Sequence, residues 1–427
     1  MKVLLLGSGG REHALAWALS QSPLCDTLYI APGNPGSHAC GVNVALDALD
    51  FEQVLEFIGD KDIGLTVVGP EQPLVAGITD FLEAKGHAVF GPSTIASQLE
   101  GSKQFAKDFM ARHNIPTAAY KVFSGDYYAE ALAYVDAHNQ YPVVLKADGL
   151  AGGKGVLIPE NREELLAGLE ELRTGSLQDA AQTLVIEEFM PGEEASVFAL
   201  CDGEHFEIMG TAQDHKRQLD GDKGPNTGGM GAYSPSPLLA EDMLNSVSET
   251  IIAPTIAGMA AEGNPYKGFL YVGLMMTSAG PKVVEYNCRF GDPECQVVIP
   301  RLRSDLLTHL VQSTRGELLG EDIVFDQQYR TTVVLVSGGY PVSYDKGFPI
   351  FGLDELEKVE AVQVFHAGTK DQDGQLCTAG GRVLNVVGTG PTLQESISMA
   401  YKGLESISFE GMFYRKDIGA KGLNHVS

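Results

Sequence analysis

The sequence predicts a multidomain protein of mixed α/β and α+β class, with an N-terminal open parallel sheet, central α+β lobes and a C-terminal mainly β domain. Three observations predict it. At 427 residues the chain exceeds what one ordinary hydrophobic core supports. Over roughly the first hundred residues short apolar runs alternate with helical stretches, the pattern of βαβ units. Beyond about residue 325 the pattern turns to β-rich runs closed by one helix. The expected divisions are 1–102, 103–325 and 326–427, with a lid subdomain at about 120–190.

Residues 2–6 form an apolar strand, 11–20 a helix and 27–31 a second strand, followed by strands at 64–68 and 87–90 and helices at 51–58 and 74–85. A Lys- and Phe-containing helix at 102–113 is broken by Ile115-Pro116-Thr117. Residues 120–190 read strand, helix, strand, glycine-rich loop, strand, helix, strand. The longest segment without periodicity is 212–237, and so long a loop inside a compact domain is usually functional. Strands are expected at 331–336, 362–366 and 381–387, then a helix near 392–407.

Hydrophobic residues at 44% and charged residues at 20% describe a globular chain, not a disordered one. A formal net charge of −26 argues against nucleic acid or an anionic membrane as partner, and makes each cluster of Lys and Arg conspicuous. No stretch approaches the ~18 apolar residues of a membrane span. Cysteines 25, 40, 201, 288, 295 and 377 form no CxxC pair, so free thiols and a cytoplasmic location are expected.

Two glycine-rich turns stand out. Gly7-Ser8-Gly9-Gly10-Arg11-Glu12-His13 follows the first strand and opens a helix, where backbone N–H groups can meet an anion. A dinucleotide fingerprint would need glycine at Glu12 and an acidic residue closing the second strand, where Ala31-Pro32-Gly33-Asn34 stands instead. Phosphate binding and a merely tight turn both remain open. Gly149-Leu150-Ala151-Gly152-Gly153-Lys154-Gly155 is one residue short of a Walker A loop and lacks its Ser or Thr. It lies between two strands, so it reads as a hairpin tip able to close over a triphosphate, with Lys146 on the strand before it.

The run Val283-Val-Glu-Tyr-Asn-Cys-Arg289 reads as a strand that puts Glu285, Asn287 and Arg289 on one face. A carboxylate, an amide oxygen and a guanidinium suit a divalent cation beside phosphates. A solvated edge strand is the bland alternative.

Taken together the runs resemble the ATP-grasp superfamily, and more closely the phosphoribosylamine–glycine ligase family. The resemblance rests on Gly-Gly-Arg-Glu-His-Ala at 9–14, Gly-Pro-Glu at 69–71, Lys-Ala-Asp-Gly-Leu-Ala at 146–151, Gln-Asp-His-Lys-Arg at 213–217, Gly-Pro-Asn-Thr-Gly-Gly-Met-Gly at 224–231, Asn-Cys-Arg-Phe-Gly-Asp-Pro-Glu at 287–294 and His-Ala-Gly-Thr-Lys at 366–370. It implies central ATP-grasp lobes and a reaction in which ATP phosphorylates glycine and the amine of 5-phosphoribosylamine attacks the acyl phosphate. Such chemistry needs positioning and charge neutralisation, not a side-chain nucleophile.

The resemblance assigns Glu285 and Asn287 to magnesium or manganese and Arg289 to the transferred phosphates, with Lys216 and Arg217 near the acyl phosphate. Lys103, Lys146, Gly152, Gly153 and Lys154 would serve the ATP phosphates, and Glu187, Phe189 and Glu194 the adenosine. Asn226 and Thr227 would orient glycine, and Asp214 or Asp292 would hold its ammonium. Lys370 and Arg382, on neighbouring strands, would clamp the phosphate of phosphoribosylamine with Gly9 and Gly10 on its other side, and Gly33, Asn34 and Glu71 would contact substrate. His13, His215 and His366 are expected to be structural. Many superfamily members carry another acidic metal ligand on the preceding strand; Gly268–Met275 has none. A monomer acting on small molecules is expected. The alternative is another ATP-grasp carboxylate–amine ligase with a different acceptor.

Overall fold

The structure, a computed structural model, describes residues 1–150, 155–175, 182–318, 323–356 and 359–426. The first strand, Lys2–Gly7, is buried on both faces and sits at the centre of a parallel five-stranded sheet, flanked by Thr27–Pro32 and Leu65–Val68. Its period-two pattern feeds two cores: Leu4 and Leu6 join one, Val3 and Leu5 the other. Both cores continue into the central region, through Val197 and Ala199 on one side and Phe198 and Leu200 on the other. The N-terminal sheet therefore has no independent core; it packs directly against the domain that follows.

The expected helix at 74–85 is two short helices, Glu71–Ala76 and Ile78–Glu83. Gly77 separates them with φ 101°, a left-handed conformation that glycine adopts without a Cβ penalty. Residues 120–188 form the expected module. Its antiparallel sheet places Thr183–Glu188 between Tyr120–Ser124 and Val143–Ala147, with the short strand Val156–Leu157 on the outer edge. Helices Tyr128–His138 and Arg162–Thr174 complete a separate core around Leu145, Leu165, Leu169 and Ile186.

The expected long loop at 212–237 is largely ordered β-structure. Phe206–Asp214 extends to its start, a ribbon pairs Arg217–Leu219 with Lys223–Asn226, and Gly231–Ser234 follows. That last short strand makes the largest topological difference from expectation. It pairs with Phe206–Asp214 on one side and Tyr329–Val336 on the other, so the C-terminal strands continue the central sheet into eight strands. Val362–His366 closes the far edge against Arg382–Gly390, and helix Leu393–Leu404 covers it.

Lys370 and Arg382 are not on neighbouring strands. Lys370 lies on a separate ribbon, Thr369–Gln372 with Gln375–Thr378, while Arg382 belongs to the large sheet. The chain leaves the sheet where Gly368 and Gly380 touch: a Cβ on Gly368 would lie 2.5 Å from the Gly380 Cα.

Candidate active site

A cleft of about 660 Å³ opens between the central sheet, the 120–188 module and the N-terminal domain. Its floor is strand Gly280–Asn287, paired with Lys267–Thr277. Glu285 lies opposite Gly273, where a Cβ would press to 3.2 Å from the Glu285 Cγ, so the glycine leaves room for the carboxylate. The strand ends at Asn287, two residues earlier than its composition predicts. Cys288 N–H is diverted from the ladder to the Glu100 carboxylate at 2.7 Å. Arg289 thus leaves from a bend, not from the strand face.

Lys216 stands over this floor, 2.9 Å from Glu194 and 3.4 Å from Glu285. Burial acts to lower its pKa, but Glu194 and Glu285 outweigh it and keep the ammonium charged. In return Lys216, helped by Lys146 and Lys103, holds Glu285 down to about 2 against its burial. Asn287 satisfies its neighbours only with its amide nitrogen donating to Glu100 Oε1 and Tyr286 O, each at 3.1 Å. Its oxygen is then left as a hard donor. Among the described residues no group of three or more His, Cys, Asp or Glu could hold a metal. A carboxylate beside a free amide oxygen still fits a magnesium-like ion, which commonly takes one or two protein ligands and completes its shell with phosphate and water.

One wall of the cleft is lined with lysines. Lys103 opens helix Lys103–Arg112, which Ser102 caps, and its Nζ donates to Gly149 O at 3.1 Å; burial lowers its pKa. Lys146 donates to Val284 O at 3.0 Å and pairs with Glu187 at 2.9 Å. Lys107 takes the other Glu187 oxygen at 2.9 Å, so this carboxylate is committed to two ammonium groups. They keep Glu187 ionised although burial opposes it. Lys103 and Lys107 are four apart on one helix, a spacing that could have flagged Lys107 from the sequence. Phe189 and Glu194 line the cleft. Gly152, Gly153 and Lys154 lie outside the described residues.

Elsewhere along the cleft, Thr227 donates from its hydroxyl to Lys216 O at 2.8 Å and accepts from Gly229 N–H at 3.0 Å, which shapes the turn carrying Asn226. Arg217 donates to Gly224 O across the ribbon. Asp214 and Glu294 both line the cleft, and burial first, then their mutual repulsion, raises the Glu294 carboxyl. Asp292 is held by Arg382 at 3.1 Å and by Gln296 at 2.8 Å. The Arg382 guanidinium also donates to the carbonyls of Gly228 and Asp292.

The N-terminal turn closes this part of the cleft. Gly9 N–H donates to Glu12 at 2.7 Å, and a Cβ on Gly10 would lie 2.4 Å from Asn385 Nδ2 and 2.5 Å from Gln296 Nε2. A side chain at position 10 would have to displace those two amides. Gly33, at φ 70°, precedes Asn34, whose amide donates to Ser8 O and His366 O at 2.9 Å each. Glu71 reaches Arg289 at 3.1 Å, and Arg289 with Arg11 brings it down to about 2 against burial. Lys370 is exposed and outside the cleft lining. The three histidines make structural contacts: His366 N–H donates to His13 Nδ1, and Gly419 N–H to His215 Nε2.

Arg11 and Glu294 fall within the runs 9–14 and 287–294, which gave neither of them a role, and no quoted run covers Glu100. Glu100 acts through partners distant in the chain, and nothing in its local sequence announces it.

Three family models cover the chain in order: phosphoribosylglycinamide synthetase, N domain, over residues 1–100; its ATP-grasp (A) domain over 101–295; and its C domain over 330–421. Curated relatives include the phosphoribosylamine–glycine ligases of Mesorhizobium japonicum, 52% identical over 98% of both chains, and Yersinia pestis, 50% identical over 99% of both. Among solved structures, the phosphoribosylamine–glycine ligase of Thermotoga maritima superposes with a TM-score of 0.85 at 36% identity, covering 98% of this chain and 100% of that one. A biotin carboxylase from Campylobacter jejuni shares the fold at TM-score 0.72 and 15% identity, covering 96% of this chain and 92% of its own.

Proposed function

The chain belongs to the phosphoribosylglycinamide synthetase family, its activity is ATP-dependent ligation of glycine to phosphoribosylamine in purine biosynthesis, and we propose that the reaction runs through a glycyl phosphate held in this cleft. A glycine carboxylate oxygen attacks the γ-phosphorus of ATP and the bond to ADP breaks. The amine of 5-phosphoribosylamine then attacks the glycyl carbon, the bond to phosphate breaks, and the nitrogen loses a proton. Glycinamide ribonucleotide, ADP and phosphate leave.

One observation carries this reading. Lys103, Lys146, Lys216 and Arg289 converge on the cleft beside the oxygen donors Glu285 and Asn287, and no serine or cysteine is among its described lining residues. Lysines and arginine neutralise the phosphates and align carboxylate with phosphorus. Glu285 and the Asn287 oxygen would hold magnesium or manganese, which supplies further charge neutralisation at the triphosphate. Phe189 and Glu194 would bind adenosine, and Lys154 would close over the phosphates. Lys216 pins Glu194 and Glu285 in place and faces the acyl phosphate.

For glycine, Asp214 is the favoured ammonium holder, since Arg382 and Gln296 already occupy Asp292. The phosphate of phosphoribosylamine would sit between the Gly9–Gly10 turn and Arg382; Lys370, exposed outside the cleft, is left out. Six unpaired thiols support a cytoplasmic enzyme.

The test uses glycine labelled with ¹⁸O in its carboxylate. One labelled oxygen should appear in the phosphate released per turnover, and full ADP release should need glycine and phosphoribosylamine together. Unlabelled phosphate overturns the acyl phosphate route.

A further inference from the structure

Glu100 lies on the one-turn helix Gln98–Gly101, distant in sequence from the floor of the cleft, and its side chain is only 7% exposed. Its two oxygens meet three consecutive residues, the last of that floor strand and the two of the bend that follows. They accept from Cys288 N–H at 2.7 Å and from Arg289 Nη2 at 2.8 Å, and from the Asn287 amide at 3.1 Å when its nitrogen is the end turned to Glu100. No helix cap or sheet ladder requires a carboxylate there. A buried acid costs free energy unless it is fully hydrogen-bonded, and here every partner belongs to one short segment.

We infer that Glu100 is a positioning residue that sets the Asn287 amide with its oxygen towards the divalent cation, and fixes Arg289 beside it. The inference rests on the assignment of Glu285 and Asn287 to the metal. An amide presents either end with nearly the same shape, so sequence alone cannot orient it. Glu100 decides the orientation because its oxygens, already turned to the Cys288 N–H and the Arg289 guanidinium, serve there as acceptors. With the amide reversed, two oxygens would face each other at hydrogen-bond distance, in a setting where burial magnifies the repulsion. The hydrogen bond from Cys288 N–H adds a second constraint, since it ends the strand and turns Arg289 away from the ladder towards Glu71 and Glu100. Partners that orient metal ligands in this way typically change metal affinity 10–100-fold when removed.

Glu100→Gln is the discriminating substitution. It keeps the size of the side chain but can turn an NH₂ towards Asn287, which then accepts through its own oxygen and loses it as a ligand. Binding of Mn²⁺ to the enzyme–ADP complex, followed by the loss of the free-ion electron paramagnetic resonance signal, reads this without turnover. Glu100→Gln should weaken Mn²⁺ binding about tenfold or more while melting temperature and metal-free ADP binding change little. Adding Asn287→Asp should restore much of the affinity. A carboxylate has no wrong end, so it can accept from the introduced amide and keep an oxygen for the metal. Glu285→Gln serves as the control on the metal site itself. If Glu285→Gln weakens Mn²⁺ binding and Glu100→Gln does not, the positioning role is overturned while the metal assignment stands. If neither weakens it, both are overturned. Weakening that Asn287→Asp fails to rescue reduces Glu100 to a general structural residue and also overturns the inference. Should Glu100→Gln fold poorly, Glu100→Asp keeps the charge but shortens the reach, and the same loss of Mn²⁺ affinity is expected; its absence overturns the proposal.

Discussion

His13 and His366 meet where the first helix touches the edge strand of the large sheet, with His366 N–H donating to His13 Nδ1 at 2.9 Å. Burial, reinforced by His366, holds His13 down at about 3, and burial holds His366 at about 4. Both rings are therefore neutral in the folded protein at pH values where a solvated imidazole, near 6.5, would charge. Between those values the unfolded chain binds more protons than the folded one. This contribution to stability is complete above pH ~6.5 and is lost as pH falls towards ~4 and below, at about 1.4 kcal/mol per pH unit for each full proton of difference. His13→Gln keeps an acceptor for His366 N–H and cannot titrate. Its melting temperature at pH 7.5 should stay within a few degrees of the parent, and its decline between pH 6.5 and 4 should be shallower. Parallel declines, measured by calorimetry across that range, would show that the ring finds solvation for its charge and that the seam is softer than its burial implies.

At the scale of elements, the ribbon Arg217–Leu219 with Lys223–Asn226 shows how a functional loop is held. Two strands alone are marginal in water. Arg415, 1% exposed, binds Asp417 through two nitrogens at 2.8 Å each, and reaches Asp222 at 2.9 Å and Arg217 O at 3.0 Å across the ribbon. Asp417 in turn accepts from Gly221 N–H at 2.8 Å. A lysine cannot span four acceptors. Arg415→Lys should cost about 1–3 kcal/mol by denaturant titration and raise the Michaelis constant for glycine several-fold, with that for ATP unchanged. An equal rise for both would mean that the tail supports the whole cleft and not the ribbon in particular. None of this anchoring was legible in the sequence, because Arg415 and Asp222 lie 193 positions apart. What was legible had a local cause. Runs such as Val-Leu-Leu-Leu at 3–6 announce a strand buried on both faces, and the glycines at 224–231 announce close backbone approaches. The pairing of Gly231–Ser234 with Tyr329–Val336 has no such trace. Four ordinary strand residues become the hinge of an eight-stranded sheet only through a partner about a hundred residues on. The same reason hid Glu100, whose role lies entirely in contacts with 287–289.

Over the whole molecule, three parts of the chain converge on Asp292 and Arg382. The N-terminal turn approaches so closely that a Cβ on Gly9 would lie 3.4 Å from Asp292 Oδ2. The loop after the ribbon contributes Gly228 O, and the C-terminal sheet contributes Arg382 itself, with Nη2 at 3.1 Å from Asp292 Oδ2. Burial works to raise Asp292, but Arg382 and then Arg11 keep it ionised, so this junction carries opposed charges with little water between them. A phosphate dianion arriving at Gly9–Gly10 would meet a guanidinium already aligned by those acceptors, and a fork of N–H donors can hold one phosphate oxygen while keeping a carbonyl. A lysine in its place offers one point charge and must choose. Arg382→Lys should therefore raise the Michaelis constant for phosphoribosylamine about tenfold, equivalent to about 1.4 kcal/mol, while those for ATP and glycine stay within about twofold. Steady-state kinetics with each substrate varied in turn measures the three constants. If all three rise together, Arg382 is a strut between the C-terminal sheet and the glycine loop, and the phosphate must be held by the N-terminal turn with some other cation, Arg11 being the nearest alternative on that side of the cleft.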